Sequence, residues 1–297
     1  LEDKDWNNLL SRIKAGKCTP FLGAGASYGL LPLGKDIAQK WAKDHDYPLE
    51  DSSKLARVAQ FLAVEIDQMN PKEKIVEEFK EAIKNVESSN SSTLNEIHKL
   101  MSDIPLPVYM TTNYDNFIEQ ALKSRNRNPK QELCKWNDYV KDNFRSTFTA
   151  ETGFNPDVAN PVVFHLHGHI DMAESLVLTE DDYLDFLMSI SEDQELLPAR
   201  IREAFTGTSL LFIGYQISDW NFRVLFRSLV SYMKKSLQRS HISVQLVPVK
   251  ETDSENQKKK VQEYLDHYYK NLNIKVYWGT ADQFTTELRS RWEAFKK

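Results

Sequence analysis

Cysteine is scarce in this chain, with only Cys18 and Cys134 among 297 residues. Two thiols build neither a disulfide framework nor a four-thiolate zinc site, so a reducing, cytoplasmic setting is expected. Long apolar runs are also lacking. No stretch approaches the ~20 residues a membrane helix requires, and no basic segment leads into an apolar one at the start. The sequence opens on Leu1 rather than Met, which leaves room for residues or domains before it. Charge of one sign is not in excess either: 38 basic and 43 acidic side chains give a net charge of −5. No field strong enough to recruit nucleic acid follows, and the short run Lys258 to Lys260 reads as a solvated helix face. Internal repeats and low-complexity tracts are absent.

Hydrophobic residues, by contrast, make up 41% and aromatics 11%, enough to fill a globular core. Six short apolar or β-branched runs read as strands: Thr19 to Leu22, Val108 to Thr112, Val162 to Leu166, Leu210 to Gly214, Ser243 to Val249 and Ile274 to Trp278. Helical patterns separate them, which predicts an α/β fold with a Rossmann-like, mostly parallel six-stranded sheet covered on both faces. Between the first two strands, Leu55, Val58, Ala59, Leu62 and Ile66 keep helical spacing, as do Ile75, Phe79, Ile83 and Val86, with Pro71 in the first turn of the second helix. Thr93 with Glu96 offers a capping box for a third helix. A crossover of this length predicts a small helical subdomain over about 36–104, inserted in a single domain spanning 1–297. A second insertion, over about 116–160, is helical at first and then rich in proline and polar residues, as lids and binding loops are. Amphipathic helices are expected from Asp219 through Phe222, Phe226 and Met233, from about Asn256 to Asn271, and at the end through Phe284, Leu288 and Trp292.

The first strand stops in Gly23-Ala24-Gly25-Ala26-Ser27. Glycine permits a sharp turn there and close approach of backbone N–H groups to a ligand, and a helix opening beyond it favours an anion such as a pyrophosphate. The third glycine of the G-x-G-x-x-G fingerprint is missing: Tyr28 stands in its place and Gly29 comes one residue late. A tight strand-to-helix turn with no ligand explains the same pattern. The second strand ends in Thr111-Thr112-Asn113-Tyr114-Asp115, the third in His165-Leu166-His167-Gly168-His169, and the fourth in Gly214-Tyr215-Gln216-Ile217-Ser218-Asp219. Polar residues thus collect past strand carboxyl ends, where open α/β sheets bind ligands. Taken singly, Asn113, Asp115 and Asp219 also serve as helix caps, and His167 as a hydrogen-bonded core histidine.

Taken together, these pieces resemble the sirtuin family in order and spacing over most of the chain. The turn Gly23 to Ser27 looks like the family's GAGxS element, Thr111 to Asp115 resembles its TQNxD element, and Leu166-His167-Gly168 resembles the segment bearing its catalytic histidine. Gly207-Thr208-Ser209-Leu210 is similar to the GTSL segment near the adenosine ribose. Departures are equally informative. The two CxxC pairs of the family's zinc ribbon are absent, and Leu30 to Asp36 lacks the family's Phe-Arg after its proline. The run Gly214 to Asn221 looks more like the divergent prokaryotic sirtuin-like proteins of anti-phage defence, which resemble NAD+ hydrolases rather than protein deacylases.

The resemblance implies a Rossmann-type sheet binding NAD+, which is cleaved at its nicotinamide-ribose bond. The turn Gly23, Ala24, Gly25, Ala26 and Ser27 would hold the pyrophosphate, with Thr112, Gly214, Ser218 and Asp219 on the cofactor side and Gly279 to Asp282 near the adenine. Asn113 would bond a ribose hydroxyl or the attacking water, Asp115 would orient the nicotinamide end, and His167 would act as general base, a role that suits an imidazole of ordinary pKa ~6.5. The products would be nicotinamide and ADP-ribose, and no metal is implied. A homo-oligomer, restrained until an activator such as a HerA-like ATPase releases it, is implied in the same way, with no direct contact to nucleic acid or membrane. Three rivals stay open. A silent NAD+- or ADP-ribose-binding sensor would keep the pocket without turnover. A protein deacylase would depend on acyl-lysine. A metal hydrolase would use His165, His167 and His169, which alternate and would share one side of an extended strand.

Overall fold

The computed structural model describes residues 1–88, 94–215, 226, 240–248 and 254–296. Its sheet holds seven strands, β1 (Cys18–Leu22), β2 (Val108–Thr111), β3 (Lys130–Leu133), β4 (Val162–His165), β5 (Ser209–Ile213), β6 (His241–Gln245) and β7 (Ile274–Trp278). They lie in the order β3-β4-β2-β1-β5-β6-β7, and every pairing is parallel. The expected sheet is therefore corrected by one strand. Set β3 aside and the order becomes the 3-2-1-4-5-6 of dinucleotide-binding sheets, with its reversal point between β1 and β5. The fifth expected strand, Ser243 to Val249, is also shifted: β6 begins at His241, and Val249 lies outside the described residues.

Alternation along the central strands divides the core into two layers. Phe21, Met110, Phe164 and Phe212 face one side. There they meet Phe186 and Ile190 of α9 (Glu180–Glu192) and Ile201 and Phe205 of α10 (Ala199–Gly207). Leu22, Tyr109, Val163 and Leu211 face the other side. Their partners are α1 (Asp3–Lys14), α5 (Glu96–Asp103) and the final helix Ala281–Lys296, which buries Phe284, Leu288 and Trp292. Burial on both faces explains why these strands read as unbroken apolar runs. The helix α1 was not among the expected elements, although Trp6, Leu9, Leu10 and Ile13 keep the i, i+3, i+4, i+7 spacing that buries one stripe.

The helices α2 (Gly34–Asp44), α3 (Leu55–Glu65) and α4 (Asn70–Ser88) form the first insertion. Ile37, Trp41, Val58, Leu62 and Ile75 make a core of their own, completed by Ile170, Leu176 and Leu178 from the segment after β4. A buried ion pair, Lys72 to Asp182 at 2.7 Å, ties α4 to the start of α9. Asn95 caps α5 through the N–H of His98, and Thr93, the expected cap, lies outside the described residues. The second insertion carries α6 (Phe117–Lys123), α7 (Asp138–Asn143) and the short α8 (Thr147–Ala150) besides β3. Of the helix expected from Asp219, only Phe226 is described; it is buried against Phe212 with ring centroids 5.4 Å apart.

Thr179 and Asp182 cap α9 reciprocally: the Thr179 hydroxyl accepts from the N–H of Asp182 at 3.1 Å, and the Asp182 carboxylate accepts from that of Thr179 at 2.9 Å. Thr179→Ala is expected to lower stability by about 1 kcal/mol, a fall of about 2–4 °C in Tm read by thermal denaturation. An unchanged Tm would show that the cap contributes nothing.

Candidate functional site

A cavity of about 830 Å³ opens at the carboxyl ends of β1, β2, β4 and β5. Ala24, Ser27, Thr112, Asn113, Asp115, His167 and Gly214 line it from the sheet side, and α2 and α3 close it from above with Lys35, Lys54 and Arg57. Residues as far apart in sequence as Ala24 and Gly214 therefore share one chamber, at the reversal point where such sheets bind ligands.

The glycine turn is built differently from a simple phosphate loop. After β1 the chain enters a 3-10 turn over Ala24–Ser27. The N–H of Gly23 donates to Ile213 O and that of Gly25 to Gly214 O, both at 2.9 Å, while that of Ala26 donates to Gly23 O at 2.8 Å. A Cβ on Gly23 would stand 2.8 Å from Gly214 O, and one on Gly25 2.9 Å from Gly214 Cα. Both glycines are thus required because the β1 exit packs backbone to backbone against the β5 exit. Gly23, Gly25 and Ala26 lie behind the cavity wall, whereas Ala24 and Ser27 reach it. The N–H of Ala24 meets no acceptor among the described residues.

Ser27, Asn113 and Asp115 form one network. The Ser27 hydroxyl donates to Asp115 Oδ2 at 2.8 Å and accepts from Asn113 Nδ2 at 3.1 Å. The other carboxylate oxygen, Asp115 Oδ1, accepts from the N–H of Phe117 at 3.1 Å and so starts α6. Asp115 thus lines the cavity and also accepts a backbone N–H at the start of α6. Burial pushes the Asp115 carboxyl up to about 6, against the lowering effect of its bonds to Ser27 and Phe117. Because its pKa is higher folded than unfolded, the penalty is absent below the unfolded value of 3.8, grows as pH rises toward 6 and is constant above. Asp115→Asn, which cannot ionise, is therefore expected to gain on the wild type between pH 4 and 6, by on the order of 3 kcal/mol at pH 7. Paired Tm curves against pH check this, and a flat difference would contradict it.

His167 takes the opposite wall. The strand ends at His165, the chain turns at Leu166-His167, and Gly168 adopts φ 88°. A Cβ on Gly168 would collide with the backbone of Ser175, so the turn admits only glycine. The His167 ring sits edge-on to Tyr183 and Phe186, with centroids 5.4 and 5.0 Å away, and it forms no hydrogen bond with a described residue. Burial lowers its pKa to about 3, so the imidazole is neutral at physiological pH.

That turn corrects the expectation that the three histidines share a side. His165 and His169 instead fold together behind the cavity, with ring centroids 4.8 Å apart, while His167 faces into it. Their carboxylate neighbour is Glu119 of α6, and the three donor sets lie within 4.8 Å of one another. This trio fits a metal poorly. His165 Nε2 and Glu119 Oε1 are 2.6 Å apart, already in hydrogen-bond contact, and His169 Nδ1 accepts from the N–H of Asp171 at 3.1 Å. His169 Nε2 therefore carries the proton that a ligand nitrogen must lack.

Sequence reasoning overlooked Tyr183 and gave Tyr215 no role of its own, and both are on the cavity wall. The Tyr215 hydroxyl donates to Leu22 O at 2.8 Å and pairs with Thr112 Oγ1 at 2.9 Å, bridging the exits of β1 and β2. It also overlooked Arg57, which pairs with Asp51 and with Glu180 across the cavity rim. Gly279 to Asp282 sit past β7, separated from β1 by β5 and β6, and do not line the cavity. Ser218 and Asp219 lie outside the described residues.

Known proteins are similar to this chain in sequence. The chain is 27% identical over 165 residues to "NAD(+) hydrolase ThsA" of Enterococcus faecium, covering 55% of this chain and 31% of that protein. It is 25% identical over 201 residues to the protein of the same name from Cytobacillus dafuensis, covering 67% and 35%. It is 26% identical over 149 residues to "Defense-associated sirtuin 2" of Bacillus subtilis, covering 49% and 13%. The alignments thus span about a third or less of these relatives. The family described as SIR2-like domain matches residues 107–277, a span that runs from β2 to β7, takes in Asn113, Asp115 and His167, and exceeds half of the sequence. With the sheet order and the placement of those side chains, this match shows that the chain belongs to the SIR2-like domain family.

Proposed function

We propose that the chain is an NAD+ glycohydrolase that cleaves the nicotinamide-ribose bond to yield nicotinamide and ADP-ribose, and that it depletes NAD+ in bacterial anti-phage defence. The observation that carries this reading is the convergence of Asn113, Asp115 and His167 on one chamber at the β1/β5 reversal point. The relatives named as NAD+ hydrolases support the substrate, and the one named as a defence-associated sirtuin supports the setting.

Breaking the bond builds positive charge on the ribose as neutral nicotinamide leaves, so the site must hold the sugar, supply a nucleophile and steer a proton. The Asn113 carboxamide, held by Ser27, presents its remaining oxygen to a ribose hydroxyl or the attacking water. Asp115, with a pKa near 6, supplies negative charge close to the developing cation at neutral pH. Neutral His167 accepts the hydrogen bond of the water or of a ribose hydroxyl from the facing wall and takes its proton as the bond breaks. The diphosphate runs past Ala24 and Gly214, on the side where the N–H of Ala24 is open. The two long insertions belong to one domain in this reading, the first as the cavity roof.

No described helix is long and apolar enough to cross a membrane, and a cytoplasmic enzyme working as a homo-oligomer, released by an activating partner such as a HerA-like ATPase, fits a toxic activity that must be restrained. Chromatographic analysis of NAD+ incubated with the protein tests the reading. Nicotinamide with ADP-ribose in equal amounts supports it. Tight NAD+ binding with no release under any activating condition selects a sensor, and release that depends on an acyl-lysine peptide selects a deacylase.

A further inference from the structure

Glu119 and His165 lie one layer behind the cavity and contribute nothing to its wall. His165 Nδ1 is 3.1 Å from the backbone O of Asn113, and a carbonyl only accepts, so this nitrogen carries a proton. His165 Nε2 is 2.6 Å from Glu119 Oε1. Both residues are buried, His165 completely, and an adjacent opposite charge offsets much of the cost of burying a carboxylate this deep. We propose that Glu119 and His165 are positioning residues for Asn113: an imidazolium clamped between a carboxylate and the Asn113 carbonyl fixes the turn that aims the Asn113 and Asp115 side chains.

Three features support the clamp. First, Asn113 has a second backbone anchor, its N–H donating to Thr111 Oγ1 at 2.9 Å, so both sides of this residue are held while its carboxamide reaches Ser27. Second, Glu119 is on α6, the helix that Asp115 starts, so the pair ties the far side of that helix back to β4 and closes a ring through the turn. Third, although burial opposes the charged form of each, their attraction outweighs it, raising His165 and lowering Glu119 from their ordinary values. The other titratable groups near the pair are Asp115, which favours the imidazolium, His98 of α5, which burial keeps neutral although Glu119 favours its charged form, and His169, whose neutral ring meets His165 edge to face and whose Nδ1 accepts from the N–H of Asp171. Among the described residues, Glu119 Oε2 and His169 Nε2 are buried without hydrogen-bond partners, and the side-chain hydrogen bond of Glu119 goes to His165.

This proposal rests on the hydrolase reading for its kinetic consequence, and its test keeps the two apart. In nitrogen-15 NMR of the full chain at pH 7, His165 is expected to show two protonated ring nitrogens; a neutral His165 overturns the proposal whatever the turnover. In Glu119→Gln, the side-chain amide resonance of Asn113 is expected to shift while the backbone amide of Gly29 stays, and an unmoved Asn113 overturns it. In turnover, Glu119→Ala is expected to lose about 10–100-fold in kcat with KM changed by less than about 3-fold, and Glu119→Gln, which keeps an acceptor, to recover part of the loss. A folded Glu119→Ala protein with wild-type kcat overturns the clamp. Should that variant fail to fold, Glu119→Gln and the NMR of the wild type decide. A wild type that binds NAD+ without ever cleaving it overturns the hydrolase reading alone, and the two NMR results then judge the clamp.

Discussion

His167→Ala is expected to lower nicotinamide release by at least about 100-fold, the scale of a lost general base, while leaving the protein folded. The imidazole has no hydrogen bond to a described residue and stands on a cavity wall, so its removal enlarges an existing space rather than opening a new one in the core. The stability loss is therefore expected at about 1 kcal/mol, chiefly its edge contacts with Tyr183 and Phe186. Asn113→Ala should match it in rate and differ in stability, because that variant also strips the Ser27 hydroxyl of a donor. Nicotinamide release and circular dichroism on the same samples check both. A folded His167→Ala protein keeping more than about a tenth of the wild-type rate removes the histidine from the reaction.

Gly214→Ala is expected to be, with Gly168→Ala, among the most damaging small substitutions. Gly214 has φ 83°, where an L side chain is strained, and its Cβ would stand 2.6 Å from Gly23 O and closer still to Ala26 N. Neither obstacle is a flexible side chain. The β1 and β5 exits would have to part, breaking the bonds from Gly23 N–H to Ile213 and from Gly25 N–H to Gly214. A loss above about 4 kcal/mol, or no soluble protein, is expected. Gly29→Ala supplies the comparison: φ is 82° there too, but nothing lies within 4 Å of its Cβ, so only the backbone strain of about 1–2 kcal/mol should appear. Equal melting temperatures for the two variants would refute the close packing assigned to Gly214.

Much of the frame was legible because buried parallel strands leave apolar runs, and five of the six expected strands fall within about one residue of their observed bounds. β3 escaped because Lys130, Gln131 and Glu132 carry no apolar signal; it is an edge strand whose only buried acid, Glu132, is held by the N–H of Thr147. The glycine turn was found for a reason that proved incomplete. The N–H groups of its two glycines are engaged by the β5 exit, a long-range approach that no local pattern encodes. Asn113 and His167 were legible through motif resemblance, and their shared chamber follows from the parallel sheet. The Glu119–His165 pair was not legible: the residues are 46 positions apart, and they meet only because the chain reverses after His165 and α6 begins just past Asp115.

The Tyr215 phenol joins the exits of two neighbouring strands through Leu22 and Thr112. Such a rivet sets the width of the chamber floor before any dinucleotide arrives, so little free energy goes into reshaping it on association. Adaptation to guests of different bulk is left to the helical roof, held at its rim by ion pairs instead of by the sheet.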